Sequence, residues 1–317
     1  MAGTSYQWVD MVDRALARQH VDLRAELARS GIELGDAGGR LGRDVTGAVW
    51  RVVDEHGGDP AFGVALARSV DYLEFGELGV AIVAAPDPEA ALALMARHAG
   101  LLSEEVVITV ERGPRTLELR IDHVRTHWRA AEFAAALVMR VLRVRFAPSL
   151  PVMRLALAFN NPPALGAYQR YFRGEVTMNA PATRLLLDRT VLARHGVPDP
   201  GGIASHFDAL LARREAELAQ TRTTADEVRE ALLEEFGPDF GAVDVLAGRL
   251  HLTPRTLQRR LRAEGTSASE VTDDVRRELA REWLHDGHLS HGEIAYRLGF
   301  AHQSSLSRAL RRWWGHH

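Results

Sequence analysis

Leu246-Ala247-Gly248-Arg249-Leu250-His251-Leu252 returns 48 positions later as Ile294-Ala295-Tyr296-Arg297-Leu298-Gly299-Phe300. Each copy runs into an arginine-bearing amphipathic segment, RTLQRRLRAE from Arg255 and HQSSLSRALRRWW from His302. In the first copy Thr253 is placed to cap a new helix. Pro254 suits the first helical position, where an N–H is not needed, and Gly265 supplies the left-handed residue beyond the end. Ala247 is small enough for two helices to approach, with Leu250, Leu252, Leu257 and Leu261 filling the space between them, which is a helix-turn-helix. The second copy opens on a capping box, Ser290 with Glu293 three residues on. Gly299 stands where a tight turn needs a permissive backbone, and Leu306 and Leu310 point inward while Ser304, Ser305 and Arg308 face out.

Between the copies, ASEVTDDVRRELAREWLH (Ala268 to His285) carries one apolar stripe through Val271, Val275, Leu279 and Trp283, so a single helix is expected to join the units. Two such units can enter successive major-groove faces of one duplex if held about one helical turn, roughly 34 Å, apart. Trp283, Trp313 and Trp314 are expected to pack in the core or against backbone.

Upstream, residues 5 to 103 read as mostly helical. VDMVDRALARQH repeats apolar residues at three and four spacing, Asp44 is the start signal for VTGAVWRVVDEH, and Pro88 opens EAALALMARHAGLL. The period then changes: Glu105 to Glu111 and Thr116 to Ile121 are β-branched and partly alternating, with Gly113 and Pro114 between them, which predicts a hairpin. Trp128 to Phe146 reads as a long helix stopped by Pro148 and Pro151, Val152 to Phe159 as a strand, ALGAYQRYF as a short helix and ATRLLLD as a fourth strand. From Ala204 to Phe236 the chain is helix-forming apart from the polar patch QTRTTA (Gln220 to Ala225), the expected linker, after which Asp226 is the expected cap of EVREALLEEF.

The 317 residues exceed one small core and fit two domains. A hydrophobic share of 46% with 26% charged residues is ordinary for a water-soluble chain, and nothing approaches the roughly twenty uninterrupted apolar residues of a membrane span. The opening MAGTSYQWVD lacks a basic cluster followed by an apolar core, so a cytoplasmic location is expected. There is no cysteine, which removes disulfides, thiolate metal sites and cysteine nucleophiles. The net charge of −3 gives the whole chain no general attraction to nucleic acid, but Leu246 to His317 holds 12 Arg against 8 Asp plus Glu, a local basic surplus.

On these residues the segment from about Asp226 to Gly315 resembles the DNA-binding domain of the AraC/XylS family: LAGRLHLTPRTLQRRLRAEGTS, VRRELAREWL and EIAYRLGF with SSLSRALRRWWG carry the likeness. DYLEFGELGVAIVAAPDPEAALALMARHAGLLSEEVVITVE, from Asp71, is similar to the arabinose-binding-like effector domain of the branch that includes ornithine-utilisation and mycobacterial virulence regulators. The expected architecture is an α+β N-terminal sensor domain, residues 1–222, followed by an all-α DNA-binding domain, residues 226–317, with two helix-turn-helix units joined by a linker helix.

The resemblance implies that Arg255, Gln258 and Arg259 face bases from the first recognition helix, and Gln303, Ser304, Ser305 and Arg308 from the second. Arginine can donate two bonds to guanine O6 and N7, and glutamine pairs with adenine N6 and N7. Thr253, Arg260, Arg262, Arg311 and Arg312 are assigned to phosphates. Two departures from the family pattern stand out: the sequence stops at His316 and His317 after the matching Gly315, and His251 stands where glycine is common. The first unit is therefore the better-specified reader. Double-stranded promoter DNA, RNA polymerase, an unidentified small-molecule effector and a second copy of the chain are the expected partners, with dimerisation through the N-terminal domain and the helix around Phe207 to Ala219.

Trp8, Trp50, Tyr72, Phe75 and His123 are candidate effector-pocket residues, with Asp71, Glu74 and Glu77 nearby, although the same residue types build ordinary cores. Asp122, His123 and His127 hint at a zinc pair but lack a metalloprotease glutamate, and His285, Asp286 and His288 read as loop polarity, so no metal and no cofactor is expected. Alkyl-transfer repair proteins built on such a DNA-binding domain need cysteine acceptors, which argues against an enzyme. The alternative for the N-terminal domain is a protein-interaction or oligomerisation module without a small ligand.

Overall fold

The chain divides into two units, Ala2–Ala219 and Gln220–His317. The computed structural model describes residues 4–32, 34, 40–122, 127–196, 202–220, 222–234, 236–286 and 289–315.

In the N-terminal unit β1 (Thr4–Ser5) leads into α1 (Tyr6–Ala17) and α2 (Leu23–Arg29), and β2 (Arg40–Leu41) pairs back onto β1. α3 (Arg43–His56) starts on Gly42, which is extended and gives no side-chain cap, so the helix begins ahead of the Asp44 signal. α4 (Phe62–Ser69), α5 (Glu77–Ala84) and α6 (Pro88–Leu102) follow. Asp87 caps α6 by accepting the Ala90 N–H at 2.8 Å, with Pro88 at its first position.

The expected hairpin is β3 (Val107–Arg112) and β4 (Thr116–Asp122), antiparallel in the register Val107 to Asp122. α7 (Trp128–Arg145) ends one residue short of the expected helix. β5 (Arg154–Ala156) is shorter than the expected strand because its flanks bond irregularly, Met153 N–H to Leu186 O at 2.8 Å and Leu157 N–H to Thr177 O at 2.9 Å. α8 (Leu165–Phe172), β6 (Glu175–Thr177), β7 (Thr183–Asp188), α9 (Arg189–Leu192) and α10 (Ile203–Gln220) complete the unit. The sheet runs β3-β4-β7-β5-β6, antiparallel except for β5 beside β6. It therefore has five strands rather than four: β6 is three residues, Glu175 and Thr177 exposed and only Val176 half-buried, too short for an apolar alternation to announce it.

Leu117, Leu119 and Ile121 of β4 and Leu185 and Leu187 of β7 alternate inward and are fully buried. α7 lies against β4 and α4, and its alanine-rich surface, Ala131, Ala135 and Ala136, lets α4 come close. A side chain of this size burying itself contributes roughly 1.5 to 3 kcal/mol, so this layer holds the unit together.

The C-terminal unit is all helix: α11 (Thr224–Glu234), α12 (Val243–Arg249), α13 (Pro254–Ala263), α14 (Ala268–Asp286), α15 (His291–Arg297) and α16 (Gln303–Trp314). α11 begins at Thr224, not after Asp226. Thr223 and Asp226 cap reciprocally, each side-chain oxygen accepting the other's N–H at 3.1 Å, so Asp226 sits inside the first turn. Of the polar patch expected as linker, Gln220 ends α10 and Thr224 and Ala225 start α11, while Arg222 and Thr223 between them lie outside any helix. α14 is the expected joining helix, with Val271, Val275 and Leu279 buried along one stripe, and Trp283, Trp313 and Trp314 pack partly buried on the same core.

Candidate functional site

α12 and α13 form the first helix-turn-helix. Thr253 Oγ1 accepts the Thr256 N–H at 3.2 Å, Pro254 takes the first position, and Gly265 lies beyond the C-terminus at φ +78°. Leu257 and Leu261, four apart, are fully buried and fix which way the helix faces. Arg255, Gln258, Arg259 and Arg262 then share the opposite, exposed face, while Arg260 lies about 100° round the axis from Arg259.

α15 and α16 form the second. Ser290 and Glu293 make the full capping box, Glu293 donating its N–H to Ser290 Oγ at 3.2 Å and accepting the Ser290 N–H at 2.8 Å. These bonds hold the Glu293 carboxyl below its ordinary value. Leu306 is fully buried; Ser304, Arg308 and Arg311 share the exposed face, and Gln303 is exposed at the first turn. Ser305 is half-buried, turned off that face, and its Oγ accepts from Arg308 Nη2 at 3.3 Å. Arg312 pairs with Asp273 of α14 at 2.6 Å, beside the Trp313 Nε1 donor at 3.0 Å, so its charge is partly used within the fold. Among the described residues Arg255, Arg259, Arg260, Arg262, Arg308 and Arg311 have no ion-pair partner.

Two residues that carried no sequence signal hold these helices in place. Arg276 of α14 donates to Leu298 O at 2.8 Å and Phe240 O at 3.0 Å, with its guanidinium over the Phe240 and Phe300 rings, so it ties the joining helix to the second unit. Burial lowers its pKa, opposed by Asp273. Glu264, just past α13, accepts the Thr224 and Ala225 N–H groups at 2.7 and 2.9 Å and so caps α11 from 40 residues away. Desolvation pushes its carboxyl up, but the Thr224 and Ala225 hydrogen bonds outweigh that and leave it lowered.

The N-terminal unit holds a cavity of about 110 Å³ that is partly open to the surface. Of the candidate effector residues, Trp8, Trp50 and Phe75 line it, Tyr72 does not, and His123 lies outside the described residues. Leu137, Phe133 and Val138 of α7, Met95 of α6 and Ile108 of β3 also line it; in the sequence they are indistinguishable from core. The nearby acids are structural: Asp71 and Glu74 form the capping box of a short 3-10 turn at Tyr72–Phe75, Glu74 pairs with Arg14, and Glu77 pairs with Arg214 at 2.8 Å. His127 Nε2 lies 2.8 Å from Asp54, whose carboxyl is raised by desolvation but lowered overall by His127 and Arg129. Among the described residues no three potential metal ligands converge and no helix is long and apolar enough to cross a membrane.

Comparison with known proteins agrees with this arrangement. Residues 21–195 match the arabinose-binding domain of AraC transcription regulator, N-term, and residues 246–317 match a helix-turn-helix domain. The chain belongs to the AraC family of transcription regulators. Within that family it is 27% identical to the ornithine utilization regulator of Pseudomonas aeruginosa over 267 residues, 81% of this chain and 77% of that one. It is 40% identical to the transcriptional regulator VirS of Mycobacterium tuberculosis over 74 residues, 23% of this chain and 22% of that one. The crystal structure of the transcriptional regulator CdpR from Pseudomonas aeruginosa aligns over 95% of this chain and 96% of that chain, with 26% identity and a TM-score of 0.44. This AraC-family chain is a DNA-binding transcription regulator, and the exposed arginines of α13 and α16 lie in its matched helix-turn-helix segment.

Proposed function

We propose that this regulator reads promoter DNA through Arg255, Gln258 and Arg259 of α13, assisted by Gln303, Ser304 and Arg308 of α16, under the control of a small molecule bound in the N-terminal unit. The observation that carries the DNA reading is the row of exposed guanidinium groups without acidic partners, set opposite the buried leucines of both helices. Such a face offers directed donors to base edges and phosphates and pays no internal ion pair to do so. Ser305, half-buried and bonded to Arg308, orients that arginine, and Arg312 contributes to phosphate binding only by leaving Asp273. Thr253, Arg260, Arg262 and Arg311 complete the phosphate set.

Effector control is supported by the contacts of α6. Its Met95, Ala99 and Leu102 line the cavity, while His98, fully buried on the same helix, is held at both ring nitrogens by Asp208 at 2.7 Å and Glu215 at 2.9 Å of α10. α10 is the last helix of its unit, so a ligand that shifts α6 shifts the helix that leads onward. Ile203 and Leu210, both exposed and seven apart on α10, support a second copy of the chain as the partner on that helix. Contact of the DNA-bound regulator with RNA polymerase follows as the route to transcription.

Selection of genomic fragments with the purified protein tests this reading: a small set of fragments sharing one motif is expected, and uniform retention of all fragments defeats it. On the selected fragment Arg259→Ala should cost about 1 to 3 kcal/mol and relax one base position, whereas Arg260→Ala, off the base-facing side, should weaken selected and random DNA alike. Equal losses on both DNAs for Arg259→Ala would remove it from the base-reading set.

A further inference from the structure

We propose that the N-terminal cavity takes a compact, mostly apolar molecule about one aromatic ring in size, with a single neutral hydrogen-bonding group, and that it rejects sugars and doubly charged amino acids. The inference rests on the reading of that unit as an effector domain and assigns the chemistry of its ligand.

Volume sets the size. A closed dry cavity of roughly 150 Å³ holds a benzene ring; at about 110 Å³ but partly open to the surface, this one takes a single ring with its substituents toward the open side. The wall sets the polarity. It is apolar except for Thr4, Ser5, Gln7, Thr46, Ser103 and Glu105. Four of these form one connected chain: Thr4 Oγ1 lies 2.8 Å from Ser103 Oγ, Ser103 Oγ accepts the Glu105 N–H at 3.2 Å, and Thr46 Oγ1 donates to Glu105 Oε1 at 2.8 Å. The polar wall thus has one main patch, already knitted together, so a ligand meets polar atoms chiefly at one end. Trp8 and Trp50, with ring centroids 5.1 Å apart and tilted by 51°, face the rest with Phe75 and Phe133.

A pentose carries hydroxyls around its whole ring. Most of them would face tryptophan, phenylalanine and leucine and lose water without a replacement bond. An amino acid with charges at both ends would strand at least one of them in the same apolar wall. A phenol of ring size buries its ring against the aromatics and offers its one hydroxyl to the Glu105 and Ser103 end.

The test is calorimetry on the full chain with p-cresol, toluene, L-arabinose and L-ornithine, paired with affinity for the selected DNA fragment. p-Cresol is expected to bind with a negative heat-capacity change, toluene more weakly, and the sugar and amino acid not at all. Ala134→Phe fills the cavity from α7 and should keep the far-ultraviolet spectrum while weakening p-cresol at least tenfold. If that variant fails to fold, Thr46→Val serves: it should weaken p-cresol several-fold and leave toluene unchanged. Binding of arabinose or ornithine with p-cresol silent overturns the ligand chemistry while leaving effector control standing. p-Cresol binding that Ala134→Phe or Thr46→Val weakens as expected supports the cavity chemistry; if DNA affinity stays unchanged with p-cresol bound, effector control fails instead. Silence from all four compounds overturns the proposal.

Discussion

Gly299→Val is expected to destabilise the second helix-turn-helix by about 2 to 5 kcal/mol and to remove the second half-site from the DNA footprint. Gly299 joins α15 to α16 at φ +67°, where an L side chain costs roughly 1 to 2 kcal/mol. A Cβ there would also stand 2.9 Å from Phe240 Cβ, 3.0 Å from Phe240 O and 3.1 Å from Gly237 O. Backbone cannot give way cheaply, because Gly237 N–H donates to Arg297 O at 2.9 Å and Phe240 O accepts from Arg276 at 3.0 Å. Relieving the contact therefore breaks the bonds that tie the segment 237–240 to α15 and to α14, and overpacking of this kind adds about 1 to 3 kcal/mol. Hydrogen exchange in α15 and α16 under mild urea is the direct measurement. His251→Gly is the control: His251 occupies the equivalent turn at φ +53° but is exposed, so glycine there should change stability by no more than about 1 kcal/mol. Equal exchange rates in Gly299→Val and the parent chain would mean that this turn is not packed as described.

Stability of the N-terminal unit is expected to fall by about 3 kcal/mol as pH rises from about 4.5 to about 7, because of Glu132. This side chain on α7 is 1% exposed and accepts from Tyr168 Oη at 2.9 Å and Gly63 N–H at 3.1 Å. Burial pushes its carboxyl up to about 7, against the pull of Arg129 and of the Tyr168 and Gly63 hydrogen bonds. The folded state therefore keeps a proton that the unfolded chain releases above its ordinary value of 4.5. With more protons bound when folded, stability declines across that window and levels off above it. Asp54 and Asp208, both lowered, act in the opposite sense, losing their contribution as pH falls below the ordinary aspartate range, outside the window. Urea midpoints of Glu132→Gln and the parent between pH 4.5 and 8 isolate the effect, since other titrating groups are common to both. Parallel profiles would exclude Glu132 as the source.

The cavity and the acids beside it show how far side-chain type alone carries. Trp8, Trp50 and Phe75 were candidate pocket residues and line the cavity, but Asp71, Glu74 and Glu77 are spent on a cap and on Arg14 and Arg214. The α7 wall was hidden, because Phe133, Leu137 and Val138 follow the same helical stripe whether they meet a core or a void.

What the sequence by itself determined is local. Thr253, Pro254 and Gly265 bound α13, Ser290 and Glu293 start α15, and the 48-residue repeat places a left-handed turn at both His251 and Gly299, because caps and turn residues act within a few positions of themselves. The tertiary structure decided everything that needs two distant segments. Glu264 caps α11 from 40 residues on, Arg276 clamps Leu298 and Phe240, Asp273 takes up Arg312, and Phe240 closes over Gly299 whereas His251 is exposed. Two turns with the same backbone need thus differ in consequence, since φ is written in the local chain and the approach of another backbone is not.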